Sequence, residues 1–349
     1  MPSLGPRDVR LAVLAASVCG TDRQILRGDR PDAASILGHE GVCRVIEIGP
    51  EVQLVRVGET FVCNPVNPDD QDEILGHSTP GLFQELVTWS EDELRRRSLL
   101  VAVDGAGNDE LPFEVCALAE PLGTVLYTHE LLAGTGEAPR RLAIFGDGSM
   151  GVLHALFAAE VCGASEVLLF SVDATRAAWL RTRRWWPRAV RVFGPDEPEP
   201  KSRQDTVVVC TPARASDAVL TRAVARVAPE GRIVLVGGVG APGHPALPGM
   251  DLRVLRRTNV CGRGQPSIGR ALSTEGKRLA VFGHRGTAAR HLAGALALLR
   301  DWPVFREILT HCVPVEGLPA VLDTVSHTRR LDGVEYLKAA VRFPRAPSP

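Results

Sequence analysis

The sequence has few of the features that would indicate a nucleic-acid or membrane partner. Only three of its 40 basic residues are lysines, and its net charge is −1 at pH 7, so no excess of positive charge attracts an anionic polymer or lipid surface. No apolar run approaches the roughly 20 residues that cross a bilayer. The opening residues MPSLGPRDVR contain no apolar stretch of the kind found in secretory signals. We therefore expect a cytoplasmic protein that binds neither nucleic acid nor membrane.

Cysteine pairs are also missing. None of the eight cysteines stands in a C-x-x-C pair, and most lie inside apolar runs such as VVVC. Scattered cysteines of this kind are typical of reduced thiols packed in a core. Cys19 differs, because it stands between a strand-like run and the polar segment 20–22. That position makes it a candidate for chemistry.

Three stretches of different character follow one another along the 349 residues. Residues 1–122 contain short β-type runs such as VRLAVLAAS, separated by turn residues. Residues 123–264 alternate apolar strands such as RLAIFG with amphipathic helices such as SDAVLTRAVARVA, which is typical of a parallel sheet covered on both faces. Residues 265–349 offer one helix and a few short segments. We predict an α/β protein in which a doubly wound parallel sheet, 123–264, is inserted into a β-rich domain formed by 1–122 and 265–349.

A glycine-rich turn joins the first strand of the α/β stretch to a helix. It reads Gly146-Asp147-Gly148-Ser149-Met150-Gly151. In this G-x-G-x-x-G pattern the glycines allow a tight turn, close approach of a pyrophosphate and close packing of the helix, whose N-terminus attracts phosphate. The turn therefore predicts a dinucleotide site. Gly237 and Gly238, at the end of the strand-like run GRIVLVGG, are further cofactor-binding candidates.

The end of the second strand of this stretch selects between NAD and NADP. An acid at that position binds the ribose 2′-hydroxyl and selects NAD. In EVLLFSVDATR the strand tip falls on Ser171, which cannot repel a 2′-phosphate, and Arg176 follows five residues later. These two residues favour NADP. Asp173, two positions beyond the tip, leaves NAD open.

Three polar segments carry candidate metal ligands. Cys19 begins the first, CGTD; His39 stands in the second, GHEG; Glu120 begins the third, EPLG. Thiolate, imidazole and carboxylate are ligand types that zinc accepts, and three protein ligands leave a position open for water or substrate. Each residue also has a purely structural interpretation, with Cys19 in the core, His39 in a loop and Glu120 capping a helix.

These segments, in this order and ahead of the glycine-rich turn, resemble the zinc-dependent medium-chain dehydrogenase/reductase family, whose members include the alcohol dehydrogenases. The resemblance covers nearly the whole chain and is strongest for the polyol and sugar branch, with sorbitol, threonine and glucose dehydrogenases. The segments CGTDRQILRGD and GDGSMG look most like glucose dehydrogenases. The resemblance implies a Rossmann domain inserted into a GroES-like catalytic domain.

The resemblance also implies a ligand set. Cys19 and His39 match residues that bind the catalytic zinc, and Glu40 and Glu120 match glutamates that bind it directly or through water and exchange during turnover. The loop that often carries a second, structural zinc contains only Cys63 here. We therefore expect one catalytic zinc per chain and no structural zinc.

Two residues match the catalytic apparatus of the family. Thr21 matches the hydroxyl that bonds the substrate alcohol and starts a proton relay, and Asp22 matches the carboxylate that orients the zinc-binding histidine. The resemblance implies that zinc acts as a Lewis acid and that the alcohol carbon gives a hydride to the nicotinamide. Gln24 stands where many relatives have a histidine that completes the relay, so the proton is expected to leave through water.

Substrate-binding candidates are fewer. Glu73 matches a sugar-binding glutamate of glucose dehydrogenases, and Gln265 stands at the end of the last predicted strand, where relatives place an amide near nicotinamide and sugar hydroxyls. His77 is a candidate for the same cleft, with a loop histidine as the alternative. Residues 266–286 form a longer connection than is usual, which suggests a role in the pocket or in a subunit contact. Only 18 residues precede Cys19, which implies a shortened first hairpin.

The sequence thus predicts a zinc-dependent NAD(P) oxidoreductase that interconverts a secondary alcohol and a ketone or sugar lactone on a sugar, cyclitol or polyol. Family resemblance implies a homodimer or homotetramer. One alternative is a zinc-free quinone or enoyl reductase of the same superfamily. Another is a non-catalytic NADPH-binding protein that kept the fold.

Overall fold

The computed structural model describes residues 3–97, 99–103 and 111–344. The chain folds into two compact units: residues 1–124 with 286–349 form the first unit, and residues 125–285 form the second. The second unit is therefore inserted into the first along the chain. Within the described ranges, no helix is both long enough and apolar enough to span a membrane.

The elements are numbered in chain order. The strands are β1 Asp8–Val18, β2 Glu40–Ile48, β3 Thr60–Cys63, β4 Leu86–Ser90, β5 Leu100–Ala102, β6 Arg141–Phe145, β7 Glu166–Phe170, β8 Val190–Phe193, β9 Gln204–Val209, β10 Val227–Leu235, β11 Asn259–Val260, β12 Gly269–Leu272, β13 Arg278–Arg285, β14 Leu309–Pro314, β15 Arg330–Leu331, β16 Val334–Glu335 and β17 Lys338–Arg342. The α-helices are α1 Gly20–Leu26, α2 Glu91–Arg97, α3 Phe113–Cys116, α4 Ala119–Ala133, α5 Ser149–Glu160, α6 Ala174–Arg181, α7 Ser216–Arg226, α8 Leu252–Thr258, α9 Ala289–Asp301 and α10 Leu318–His327. Short 3₁₀ helices cover Ala213–Ala215, Pro303–Ile308 and Val315–Gly317.

The first unit is built on a mixed sheet in the order β14-β17-β1-β2-β3-β5, with β4 also paired to β1. β1 pairs antiparallel with β2, β4 and β17, whereas β14 and β17 run parallel. Ten of the eleven residues of β1 are buried, because strands flank it on both sides and side chains cover both of its faces. Leu11, Val45, Leu82 and Val341 belong to one apolar core of this unit.

The second unit contains the predicted parallel sheet, in the order β11-β13-β10-β9-β6-β7-β8, with β12 antiparallel to β13. After their first residue, β6 and β7 are wholly apolar and buried, as expected when helices cover both faces of a parallel sheet. The prediction of a doubly wound α/β fold joined to a β-rich part is confirmed.

The C-terminal limit of the second unit lies later than the sequence suggested. We expected the last strand at TNVCGRG and the limit at residue 264, but β11 keeps only Asn259–Val260 of that run. Residues 269–285 instead add β12 and β13 to the same sheet, so the unit ends at residue 285. The polar, turn-rich segment PSIGRALSTEGK hid β12, which has no continuous apolar run. β13 does contain an apolar run, LAVF, but it lies beyond the limit predicted at residue 264.

Candidate metal centre and nucleotide site

The candidate ligands lie where two paired strands of the first unit meet its first helix. β1 ends at Val18, so Cys19 leaves the sheet and takes the N-cap position of α1 with an extended backbone (φ −95°, ψ 157°). His39 immediately precedes β2, and Glu40 of β2 pairs in register with Ser17 of β1. The antiparallel pairing of these strands therefore brings Cys19 beside His39 and Glu40.

A thiol, an imidazole and a carboxylate come together at this point. One ligand atom from each of Cys19, His39 and Glu40 lies within 4.8 Å of the other two, the spacing at which side chains from the described ranges can share a metal ion. His39 is 6% exposed and Glu40 is 1% exposed. Zinc accepts these three donor types, so the residues present fit a zinc ion.

Asp22 holds the histidine side of this group in place. It is fully buried, and its carboxylate accepts the backbone N–H of Cys19 at 2.8 Å and of Gly38 at 3.4 Å. Its Oδ1 lies 3.7 Å from His39 Nδ1. Burial opposes ionisation of Asp22, but the neighbouring His39 lowers the pKa of the carboxyl below its ordinary value. The carboxylate thus lies beside the imidazole, but at a distance longer than a hydrogen bond, and its orienting role stays a prediction.

The pKa of His39 is also shifted by neighbouring groups. Burial opposes its protonation, but the charge of Cys19 and the carboxylate of Asp22 together raise the pKa of His39 well above its ordinary value. A histidine whose protonated form is favoured by its neighbours stands in a site that favours positive charge. Such a site attracts a cation.

Glu120 lies near this group without being one of its three closely spaced members. It stands in the first turn of α4. Burial and then the negative charge of Glu40 raise the pKa of Glu120 to about 7. The structure therefore supplies a second carboxyl that exchanges a proton near neutral pH, close enough to Glu40 to interact with it electrostatically.

A buried lysine at the centre went unnoticed in the sequence. Lys338 of β17 is 1% exposed, and its Nζ donates to Glu40 Oε1 at 2.6 Å and lies 2.5 Å from Oε2. Ser17 Oγ also donates to Oε2 of Glu40. Burial opposes the positive charge of Lys338, but the carboxylate of Glu40 raises the pKa of this lysine above its ordinary value. The available signal was the rarity of lysine, because Lys338 is one of only three lysines among 40 basic residues.

The two predicted relay positions lie on α1. Thr21 is half-buried, and its Oγ1 is 3.8 Å from Cys19 Sγ. Gln24, one turn further along, donates its side-chain amide to the carbonyl of Gly20 at 3.3 Å. Thr21 thus lies beside a candidate ligand, whereas the Gln24 amide is engaged with its own helix.

Two of the loop candidates occupy different environments. Glu73 accepts from Asn67 Nδ2, and its Oε1 lies 3.4 Å from Nη1 of the buried Arg97. His77 instead packs edge-on against His39, with ring centroids 4.7 Å apart. Burial and then the charge of His39 lower the pKa of His77 to about 3. Glu73 therefore takes part in an ion pair with Arg97, while His77 is a neutral neighbour of the candidate metal centre.

Gln265 belongs to the second unit and does not end a long strand. It follows β11 in an exposed bend. The final strand of the parallel sheet is β13, which the sequence did not reveal. The structure therefore leaves Gln265 without the strand-end position on which its selection rested.

The glycine-rich turn has the geometry that its pattern predicts. Gly146 has φ +123°, which favours glycine, and a Cβ on Gly151 would lie 1.8 Å from the carbonyl oxygen of Gly146. A Cβ on Gly148 would meet open space. Ser149 and Met150 begin α5 and are half-buried. The turn thus keeps a free face at Gly148, beside the helix N-terminus, where a phosphate can approach.

Close packing also explains the second glycine pair. A Cβ on Gly237 would lie 2.0 Å from the carbonyl oxygen of Thr211, and one on Gly238 would lie 3.0 Å from Cβ of Ala213. Two chain segments of the second unit therefore pass each other at backbone distance. No larger residue fits at Gly237 without moving this backbone.

The residues that were expected to choose the cofactor form one polar cluster. Ser171, directly after β7, is buried and donates to the carboxylate of Asp147, the acid inside the glycine-rich turn. Asp173 caps α6 by accepting the backbone N–H of Arg176 at 3.0 Å. The Arg176 side chain donates to the Asp147 carbonyl at 3.3 Å and stacks over Trp179. Asp147 is the member that the sequence left unassigned.

Comparison with known proteins gives a consistent picture. Residues 5–97 match the model of the alcohol dehydrogenase GroES-like domain. The chain is 30% identical over 195 residues to the L-threonine 3-dehydrogenase of Symbiobacterium thermophilum, a match that covers 50% of this chain and 52% of that protein. It is 29% identical over 189 residues to the sorbitol dehydrogenase of Rattus norvegicus, with 51% and 52% covered. The chain thus spans about half the length of the curated relatives it matches.

A solved structure matches nearly the whole chain. The alcohol dehydrogenase TADH from Thermus sp. ATN1 superposes with a TM-score of 0.71 at 20% identity, covering 98% of this chain and 94% of that one. At this identity the match establishes the fold, a Rossmann-like parallel sheet and a GroES-like β-rich part. Neither relative named above is a glucose dehydrogenase, so the resemblance to that branch stays a prediction.

Proposed function

We propose that this chain, a relative of the zinc-containing medium-chain alcohol dehydrogenases, is an NAD(P)-dependent dehydrogenase that acts on CH–OH groups. It interconverts a secondary alcohol and a ketone, or a sugar and its lactone, by hydride transfer. The observation that carries this proposal is the donor group of Cys19, His39 and Glu40, in a chain that also has the G-x-G-x-x-G turn.

The three donors of the first unit would hold the metal, and Glu120 would join them directly or through water. Zinc bound there supplies a Lewis acid that lowers the pKa of an alcohol. Asp22 keeps the His39 ring in one orientation, because its carboxylate is itself fixed by the backbone N–H groups of Cys19 and Gly38. Groups that hold a metal ligand in place in this way commonly affect the affinity of the site for its metal.

Thr21 is the residue that we propose to accept the hydrogen bond of the substrate hydroxyl. Its Oγ1, 3.8 Å from Cys19 Sγ, lies next to the donor group and is half-buried. A hydroxyl both donates and accepts, so Thr21 can receive a proton from the substrate while giving its own to water. Gln24 carries no titratable group, so the proton leaves Thr21 through water.

The substrate class that we propose is a sugar, cyclitol or related polyol. The centre is surrounded by groups that bind hydroxyls better than alkyl chains, among them Glu120 and Thr21. The two curated relatives carry the names of enzymes for threonine and sorbitol, which are both hydroxylated compounds. Substrate-binding roles for Glu73 and Gln265 gain no support from their positions.

For the cofactor we propose NADP in preference to NAD. Asp173 uses its carboxylate to cap α6, and the residue that follows β7 is Ser171 rather than an acid. Arg176 lies in the same cluster. Residues 146–151, with Gly237 and Gly238, would form the rest of the dinucleotide site. We also propose one zinc per chain and assembly as a homodimer or homotetramer.

Metal analysis combined with a substrate panel tests the proposal. Protein purified without added metal should hold about one zinc per chain and should reduce NADP⁺ with at least one polyol. A zinc content far below one per chain would favour the zinc-free reductase instead. Full zinc and NADPH binding without turnover across a broad panel of sugars, cyclitols and polyols would favour a non-catalytic binding protein.

A further inference from the structure

We propose that Lys338 is a positioning residue that limits how strongly Glu40 can bind the catalytic metal. This inference rests on the proposed zinc site but concerns a residue outside the donor group. Its effect is electrostatic, because Lys338 places a fixed positive charge against one of the metal's own ligands. Removing that charge should make the site hold zinc more tightly.

The sheet of the first unit fixes this contact. β17 and β2 flank β1 on opposite sides, and Ser17 of β1 is the register partner of Glu40 on one side and of Ala340 on the other. Lys338 therefore reaches Glu40 across one intervening strand. Neither charged side chain can turn to solvent, since each is 1% exposed.

Glu40 already has partners for both of its oxygens. Lys338 Nζ is 2.6 Å from Oε1 and 2.5 Å from Oε2, and Ser17 also donates to Oε2. A carboxylate has two oxygens with about four lone-pair positions, so Glu40 can offer an electron pair to an ion while keeping Lys338. Sharing the carboxylate in this way weakens it as a donor and disfavours binding of the ion through both oxygens.

Charge balance gives the direction of the effect. A bound zinc ion would share the Glu40 carboxylate with the Lys338 ammonium, which already compensates its negative charge. A carboxylate that is compensated in this way attracts a second cation less strongly, and in a buried site little water screens the competition between the two cations. The lysine therefore raises the free energy of the zinc-loaded state, which keeps ligand exchange at Glu40 easy. The loss of the lysine should leave Glu40 dependent on the metal for charge compensation.

The test measures how fast zinc passes to an excess of chelator from the full-length, zinc-loaded protein. Lys338→Gln keeps a hydrogen-bond donor and removes the charge, and zinc release should become about 10- to 100-fold slower, the usual scale for partners of metal ligands. Lys338→Arg keeps the charge and should release zinc at nearly the wild-type rate. Lys277→Gln is the matched control, because Lys277 is buried in the second unit and donates to the backbone carbonyls of Val224 and Ala225. Its zinc release should not change.

A double variant separates this role from a merely structural one. In a Glu40→Gln background the further change Lys338→Gln should not slow zinc release, because the pair has already lost its negative partner. If Lys338→Gln alone does not fold, added zinc should fold it by supplying the missing positive charge. Unchanged release in a folded Lys338→Gln protein would overturn the inference, as would slower release that persists in the Glu40→Gln background. So would a Lys338→Gln chain that zinc cannot fold although the double variant folds.

The outcomes also distinguish this inference from the proposed function. A wild-type protein that holds no zinc would remove both. A wild-type protein that holds one zinc, with equal release rates in wild type and a folded Lys338→Gln variant, would remove only the role of Lys338.

Discussion

The two units of this chain build their candidate sites from different parts of the polypeptide. In the first unit the site consists of charged side chains from distant positions, and the contact between Glu40 and Lys338 joins residues 298 positions apart. In the second unit the nucleotide turn consists mainly of backbone within residues 146–151, where glycine provides space. The metal centre should therefore be sensitive to changes of charge and ligand type, and the nucleotide turn to changes of volume.

The largest effect should follow from removing the thiolate. Cys19→Ala deletes one of three closely spaced donors, so bound zinc and turnover should both fall below detection while the nucleotide still binds. Metal analysis and cofactor titration of the same preparation measure this. Cys116→Ala, at a fully buried cysteine of the first unit, should keep its zinc. Retained zinc and turnover in Cys19→Ala would show that the first unit does not depend on this side chain.

A single added methyl group in the glycine-rich turn should abolish cofactor binding. Gly151→Ala places a Cβ 1.8 Å from the Gly146 carbonyl oxygen, so the turn must open, and overpacking of this kind costs about 1–3 kcal/mol of stability. Cofactor binding should be lost and the melting temperature lowered, with zinc content unchanged. Gly148→Ala meets no protein atom and should weaken cofactor binding without loss of stability. Equal melting temperatures for the two variants would contradict the volume argument.

A charge introduced into the second unit tests whether cofactor selection there depends on charge as well as on volume. Ser171→Asp places a carboxylate directly after β7, where it should repel a 2′-phosphate and accept the ribose 2′-hydroxyl. The ratio of NADP to NAD affinity, measured by titration, should move toward NAD. Ser171→Ala removes the hydroxyl that bonds Asp147 without adding charge, and should change the ratio less. An unchanged ratio in Ser171→Asp would remove our cofactor argument.

The smallest effect concerns a charge in the first unit that backbone groups satisfy. Hydrogen bonds from the backbone N–H of Gln53, and also from Arg95 and Leu54, lower the pKa of Glu91 to about 2 from an ordinary 4.5, although burial opposes this shift. Because the folded-state pKa is depressed, this carboxylate stabilises the fold above about pH 4.5, and the contribution disappears as the pH falls toward 2. Glu91→Gln should therefore lose more stability at pH 6 than at pH 3, where part of the contribution of the carboxylate has already disappeared.

Denaturant unfolding at the two pH values measures that difference. Glu51→Gln, at an exposed acid in the same unit, should give no pH-dependent loss. A Glu91→Gln deficit that is equal at pH 6 and pH 3 would mean that the carboxylate charge contributes nothing.

The sequence revealed those parts of the sites that depend on local pattern. Cys19, His39 and the glycine-rich turn stand in short motifs, so they could be selected as candidates without knowledge of the fold. The doubly wound sheet was equally accessible, because buried parallel strands are continuous apolar runs. The end of the second unit was predicted too early, because β12 lacks a continuous apolar run and separates the limit predicted at residue 264 from the apolar run LAVF of β13.

Partnerships between distant residues could not be predicted. Nothing near Lys338 indicates that its partner is Glu40, because strand order decides that contact. Asp147 stands inside the glycine-rich turn, but its bond to Ser171 depends on how β6 and β7 align. The partner of Glu73 was also hidden from the sequence. This loop acid matches a sugar-binding position of a related family, but in the structure it forms an ion pair with the buried Arg97.

The position of β17 has a consequence for biosynthesis. This strand, Lys338–Arg342, lies inside the sheet of the first unit, between β14 and β1, although it follows the whole second unit in the sequence. The second unit, residues 125–285, is therefore complete before the first unit can close its sheet. Since domains tend to fold as they emerge from the ribosome, the second unit should form while β1 still lacks its partner β17. The metal centre would then be the last site to mature, when Lys338 reaches Glu40.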